Sequence, residues 1–429
     1  MTVTAEELYA RKDYVRATQA SDIIIKDHAK ADKKLLLSAW TVKANSAFDT
    51  GQFSDSESAY IVALGKIDAN EELRAPLKDR LAASVYKQGE ASKQAGKLEE
   101  AVSHYLRVGK VVPDAEIRAT AQYDASAALL ELEDWNYAAK TLEDFRARYP
   151  KHELQADVTQ KLAVSYEKGG QPLKAAKEYE YIGSNSNDPG LKREARLQAA
   201  ELYGKGGDFY GAEQSFLDYI NENPKPVEPA MEAMQKLVDM YTERKYVDDK
   251  LNWQRQLIEA DARAAGERSD RTKFLAANAS LDLAKLEYDS YSQIFLLHPL
   301  EKNLKRKKKQ MEVALEAYEQ SSSYKVAQVT TAATYWTGKI YQEFAVAMME
   351  SDRPNGLSGE EFEQYEILLE EQAYPFEEQA IEVHEINMAR IGDDVYDEWV
   401  KKSMTELMKL SPAQYVKAER SEDLVQNIY

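Results

Sequence analysis

A recurrence of 37 residues constrains this chain more than any other feature. Ala101, Ala138, Ala175 and Ala212 are spaced by 37, and four positions after each stand Tyr105, Leu142, Tyr179 and Phe216. Three positions before each alanine stand Leu98, Trp135, Pro172 and Phe209, while Pro113, Pro150 and Pro224 recur at one phase. A large residue, a small one three later and a large one four beyond is the spacing of a single helix face. Gly96, Gly170 and Gly207 precede that face, where a first helix must stop and the chain reverse. Each period is therefore a helix, a tight turn and an antiparallel helix, and a period of this length implies a stacked array. Alanine at the contact has a packing reason, since two helices approach to about 8–10 Å only where the residue between them is small.

Composition agrees with an all-helical chain. Among 429 residues there are 18 glycines and 12 prolines, too few for a β-rich fold or a disordered tail. No run of about 18 apolar residues is present to span a membrane. No charged-then-apolar leader precedes Glu6, which leaves two readings: a cytoplasmic chain, or a secreted one in mature or truncated form. The absence of cysteine fits either compartment. The net charge is −18, and residues 351–429 hold 19 acidic against 7 basic side chains, an end that repels nucleic acid and anionic lipid. One stretch runs the other way: Lys302, Lys305, Arg306, Lys307, Lys308 and Lys309 form a basic run within a predicted helix. It could meet phosphate, a lipid headgroup or an acidic protein, and the acidic C-terminal segment is a ready intramolecular counterpart.

Around the regular stretch, three segments are expected: divergent helices over 1–75, a regular array over 76–260 and a C-terminal helical region over 261–429. Phe53, Ser56 and Tyr60, and before them Tyr14 and Ala17, echo the second-helix pattern. Only a dozen residues precede the earliest echo, so the chain is expected to be the C-terminal part of a longer array. Tyr241, Tyr246, Trp253 and Leu257 suggest one further divergent repeat. Residues 270–350 read as long amphipathic helices, with Leu281, Ala284, Tyr288 and Tyr291 on one face. After the break at Asp352-Arg353-Pro354-Asn355-Gly356, Ser358 and Glu361 form a capping-box start. A helix is expected to about Gln372, a second from Pro375 to near Ile391, and a last from Tyr396 to Leu410.

The repeat units resemble tetratricopeptide repeats. In the third unit the matching positions are Leu162, Ala163, Tyr166, Ala175, Tyr179 and Ile182, and in the fourth Ala199, Ala200, Tyr203, Ala212, Phe216 and Tyr219. Val85, Gln122, Thr159 and Arg196 occupy the family's tryptophan site, a departure from its pattern. The resemblance implies an all-α, right-handed α-solenoid of tetratricopeptide-like helix pairs followed by a C-terminal helical region. It also places Tyr86, Glu90, Lys93, Tyr123, Glu131, Gln160, Glu167, Lys168, Glu201 and Lys205 on a first-helix groove, where a partner peptide or helix would lie. Tyr86 and Tyr123 are expected there to be replaceable without loss of stability. Over about residues 314–416, Tyr374-Pro375-Phe376-Glu377 and Tyr396-Asp397-Glu398-Trp399 are similar to the end of large proteobacterial tetratricopeptide proteins associated with adventurous-gliding-type machinery and TonB, ExbB and ExbD-like systems. That resemblance implies a periplasmic scaffold whose partners are envelope proteins; the alternative is a cytoplasmic adaptor or chaperone-like module.

Chemistry is sparse. The five histidines are dispersed, and His384-Glu385, read as a surface pair, is the nearest approach to a metal or acid–base motif. Gly204-Lys205-Gly206-Gly207 imitates a phosphate loop but falls on a predicted turn between helices. No nucleophile elbow, dinucleotide fingerprint or calcium loop is present, so neither an enzyme nor a cofactor or metal is expected.

Overall fold

The computed structural model describes residues 2–68 and 72–416. All regular structure among them is helical. Contacts divide the chain into two compact units, Met1–Ser215 and Phe216–Tyr429.

In the first unit the helices are α1 (Thr2–Ala10), α2 (Tyr14–Asp27), α3 (Lys33–Asp49), α4 (Phe53–Gly65), α5 (Arg74–Gln94), α6 (Leu98–Val111), α7 (Arg118–Glu131), α8 (Trp135–Arg148), α9 (Gln155–Lys168), α10 (Pro172–Asn185) and α11 (Pro189–Lys205). Helix α12 (Phe209–Glu222) carries the division point. The expected helix–turn–helix periods are all present, and Ala101, Ala138, Ala175 and Ala212 are fully buried. So are Ala17, Ser56 and Tyr60, which puts the looser N-terminal echoes at the same contact.

One turn geometry closes every hairpin. Lys12, Gly51, Gly96, Glu133, Gly170 and Gly207 all have φ between 58° and 79°, the left-handed conformation. The amide after each donates to a carbonyl five residues back, as in Asp134 to Leu129 (3.0 Å), Gln171 to Tyr166 (2.8 Å) and Asp208 to Tyr203 (2.9 Å). This is a Schellman stop, which satisfies carbonyls that the helix end would leave bare. Asp13, Asp134 and Asp208 then cap the next helix by accepting from the third amide onward. The apolar core continues from hairpin to hairpin: Ala44, Tyr60, Leu81, Val85, Tyr105, Val108 and Ala121 share one cluster spanning α3 to α7.

The second unit holds the rest of α12, then α13 (Val227–Arg244), α14 (Val247–Arg263), α15 (Asp270–Ser292), α16 (Leu300–Ser322), α17 (Ala327–Met349), α18 (Gly359–Ala389), α19 (Glu398–Leu410) and the short α20 (Pro412–Tyr415). Helices α13 and α14 make one more hairpin with Lys245 at the left-handed position (φ 61°). After it the repeat gives way to three helices of 23 residues each. Their shared core is Tyr291, Met311, Tyr318, Ile340 and Phe344, and the buried Tyr291 hydroxyl donates to the Ile340 carbonyl (3.0 Å).

The capping box at Ser358 and Glu361 forms as expected. The break expected between Gln372 and Pro375 does not: α18 runs through Pro375 as one 31-residue helix. Proline in a helix interior removes one hydrogen bond. Here Pro375 lies on the exposed side, where water can serve the freed carbonyl, while Ala373, Phe376 and Ala380 hold the opposite face to the core.

Candidate functional site

The ten residues expected on the first-helix face do fall on successive first helices: Tyr86, Glu90 and Lys93 on α5, Tyr123 and Glu131 on α7, Gln160, Glu167 and Lys168 on α9, and Glu201 and Lys205 on α11. Lys93, Glu131, Gln160, Lys168 and Lys205 are exposed, and the other five are half-buried. The tyrosines differ from the expectation. Tyr86 donates to Asp124 (2.6 Å) and Tyr123 to Asp157 (2.5 Å), so each hydroxyl links its helix to the next first helix. Burial, reinforced by the carboxylate, pushes the Tyr123 phenol up to about 12 and that of Tyr86 higher still. These residues are struts of the stack, which corrects the reading that stability would not notice them. Glu167 is likewise engaged, accepting from Tyr179 (3.0 Å) and Gln198 (2.9 Å).

The basic run is split by its own helix. Lys305, Arg306, Lys308 and Lys309 are exposed on α16, and among the described residues none of them makes an ion pair. Among the described residues, the acidic C-terminal segment does not pair with this run. Lys307 does not belong to the patch, because its side chain turns inward and is 4% exposed. Its ammonium donates to the carbonyls of Ile294 (2.9 Å) and Tyr291 (3.4 Å) and lies 4.2 Å from the Tyr291 ring centroid. A cation on the last carbonyls of α15 suits the helix dipole. Burial lowers its pKa, with Glu343 opposing.

His384 is another correction. It is fully buried between α17 and α19, with Nδ1 3.2 Å from the Ser403 hydroxyl and Nε2 unpartnered among the described residues. A Cβ on Gly338 would lie 2.8 Å from the imidazole, so only glycine admits the ring there. Burial pushes the imidazole down to about 4, with Glu406 opposing and Lys339 adding to the effect. Asn387 completes the cluster by donating to Ser403 (2.9 Å) and to the Thr331 carbonyl (3.1 Å). No group of three or more metal-ligating side chains gathers among the described residues. The phosphate-loop imitation is the α11–α12 turn, with Gly207 at φ 79°.

Two surfaces were not anticipated. On α18, Ile367 (55% exposed), Leu368 (51%) and Tyr374 (56%) point outward among glutamates. Beside them an open cleft of about 340 Å³ is lined by Tyr374, Glu377, Glu378, Glu382 and Glu385. In the first unit, one groove of about 750 Å³ lies between second helices α8 and α10 over α9. A second, of about 330 Å³, lies one period earlier between α6 and α8 over α7. Their linings correspond at a spacing of 37: Arg118 with Gln155, Gln122 with Thr159, Lys140 with Lys177, and Asp144 with Tyr181. The repeat itself was the available signal, read at positions other than the core alanines.

With this geometry in place, the known proteins add one family. Residues 120–152 match the tetratricopeptide repeat family, a span that contains almost all of α7, the Glu133 turn and α8. The chain thus carries a tetratricopeptide repeat within an all-α series of helix pairs. No curated protein matches it in sequence. Among solved structures, the Naa15/Naa10 complex bound to HypK-THB matches with a TM-score of 0.34 at 15% identity, over 96% of this chain and 63% of that one. This chain therefore spans less than two thirds of that relative's length. The apo form of RapI matches at 0.30 and 12% identity, over 91% and 97% of the two chains. A tetratricopeptide repeat protein from Parabacteroides merdae matches at 0.25 and 16% identity, over 69% and 97%. Likenesses this loose say nothing of function.

Proposed function

We propose that this protein is a non-catalytic scaffold of the bacterial cell envelope, periplasmic, holding components of a gliding-type or TonB, ExbB and ExbD-like energised complex. The observation that carries this reading is the outer face of α18. The segment resembling the envelope proteins, Tyr374-Pro375-Phe376-Glu377, lies on a helix whose apolar and acidic side chains face solvent. Apolar side chains on an exposed helix face are characteristic of contact surfaces, and the surrounding carboxylates favour a basic partner. The regular array over 76–260 then acts as a spacer that presents the first-helix residues from Tyr86 to Lys205. The exposed α16 lysines offer a further contact.

The test is crosslinking in the envelope fraction of the native host, comparing the wild-type chain with Ile367→Asp/Leu368→Asp. Recovery of TonB, ExbB, ExbD-like or gliding-type components, lost in the variant, is the expected result. Recovery of cytoplasmic proteins alone, or of the same components with both chains, would overturn the reading.

A further inference from the structure

The two grooves on the second-helix side share a charge pattern that runs against the rest of the molecule. In a chain of net charge −18, Lys110, Arg118, Lys140 and Lys177 line them, and among the described residues none of the four makes an ion pair. The carboxylates present are already engaged. Asp144 accepts from Gln122 (2.7 Å) and Arg148 (3.2 Å), and Glu178 takes a two-point grip from Arg146 (2.9 and 2.7 Å). Arg118 is half-buried and donates to the Pro113 carbonyl (2.7 Å), but no carboxylate among the described residues neutralises any of the four cations, and each groove adds an exposed aromatic ring, Tyr137 at 43% and Tyr181 at 59%.

We propose that the two grooves form one track for an extended acidic peptide, whose carboxylates meet Lys110, Arg118, Lys140 and Lys177. Three features define that ligand. Uncompensated lysine and arginine heads select anionic groups and steer their approach. Gln155 and Asn185 line the larger groove and donate to the carbonyls of Tyr149 (2.6 Å) and Tyr181 (2.9 Å), which leaves their side-chain oxygens to accept from a peptide amide, and Gln160, expected on the first-helix face, lines this groove too. The Arg146–Glu178 ion pair joins α8 directly to α10. These second helices flank α9 on either side of the larger groove, and the smaller groove repeats the arrangement one period earlier. An extended peptide with carboxylates at short, regular intervals therefore has an acid to offer the cations of each groove. Phosphate chemistry is the rival, and the comparison with an oligothymidine separates the two.

The inference rests on the scaffold reading only in requiring a protein partner, and its site is separate from α18. The test uses the full chain and a fluorescein-labelled peptide, Glu-Gly-Gly repeated four times, with fluorescence anisotropy at low salt. Binding that weakens with salt is expected, with a loss of about tenfold or more in Lys140→Glu/Lys177→Glu. Both lysines are exposed, so the variant should keep the wild-type circular dichroism. A peptide that does not bind, or binds the variant equally, overturns the proposal. So does tighter binding of an oligothymidine of equal charge, or an equal loss in Lys93→Glu/Lys168→Glu, which would move the peptide to the first-helix face. Any of these leaves the α18 crosslinking result standing.

Discussion

Glu133 shows how one backbone angle organises this protein. It holds the left-handed position (φ 58°) that Gly96, Gly170 and Gly207 hold in the neighbouring repeats. A side chain there crowds the following carbonyl at a cost of roughly 1–2 kcal/mol, which glycine avoids. Glu133→Gly is therefore expected to stabilise the first unit by about 1 kcal/mol, less what the more flexible unfolded chain takes back. Thermal unfolding measures it, and an unchanged or lower midpoint would contradict the turn argument. The turn glycines were legible because glycine announces a left-handed stop. Glu133 was not, because glutamate carries no such signal and only its place in the period gives it away. Tyr86 and Tyr123 were misjudged for a related reason: the residue type is visible in the sequence, but the carboxylate receiving the hydroxyl comes from the next repeat.

Among the elements, α16 and α18 show what pattern reading misses. Six basic residues within eight positions read as one solvated patch, yet a helix turns about 100° per residue and cannot present them all outward. Lys307 is the one turned in, where it closes the end of α15. Lys307→Ala should cost several times more than Lys308→Ala, about 2–3 kcal/mol against at most about 0.5, because it bares buried carbonyls as well as opening a void. Urea unfolding of the two variants separates these outcomes, and equal costs would show that the buried cation is dispensable. For α18 the error ran the other way. Proline is a reliable breaker in general, but Pro375 faces solvent and the opposite side of the helix is anchored by Ala373, Phe376 and Ala380. Packing against α17 outweighed the local preference.

For the molecule as a whole, the distribution of charge links stability to pH. His384 is held neutral, with its pKa down to about 4, whereas the unfolded chain titrates near 6.5. Between these values the unfolded state binds the extra proton, so stability falls as pH drops from about 6.5 to 4 and is complete above that window. The loss on reaching pH 4 is on the order of 3 kcal/mol. Glu406, whose pKa is lowered despite burial by bonds from Lys409 and Gln342 and by the charge of Lys339, pushes in the same direction as acid neutralises it. An NMR titration should find the His384 ring changing charge near 4, with the urea midpoint falling through the same range. A ring midpoint near 6.5 would show that the imidazole is wet.

The hairpin series was written in the chain because each repeat contacts its neighbours in the same way, so one alanine every 37 residues and a left-handed residue before it specify helix, turn and pairing together. All of that is local or one period away. What only tertiary structure decided is which side chains of those helices end in solvent, in the core or on a carboxylate of another helix. The burial of Lys307 and His384, the bonds of Tyr86 and Tyr123, and the uncompensated cations of the two grooves each depend on residues from several helices meeting at one place. A periodic sequence specifies how its units stack, but the chemistry of a surface is set by side chains that do not share the period.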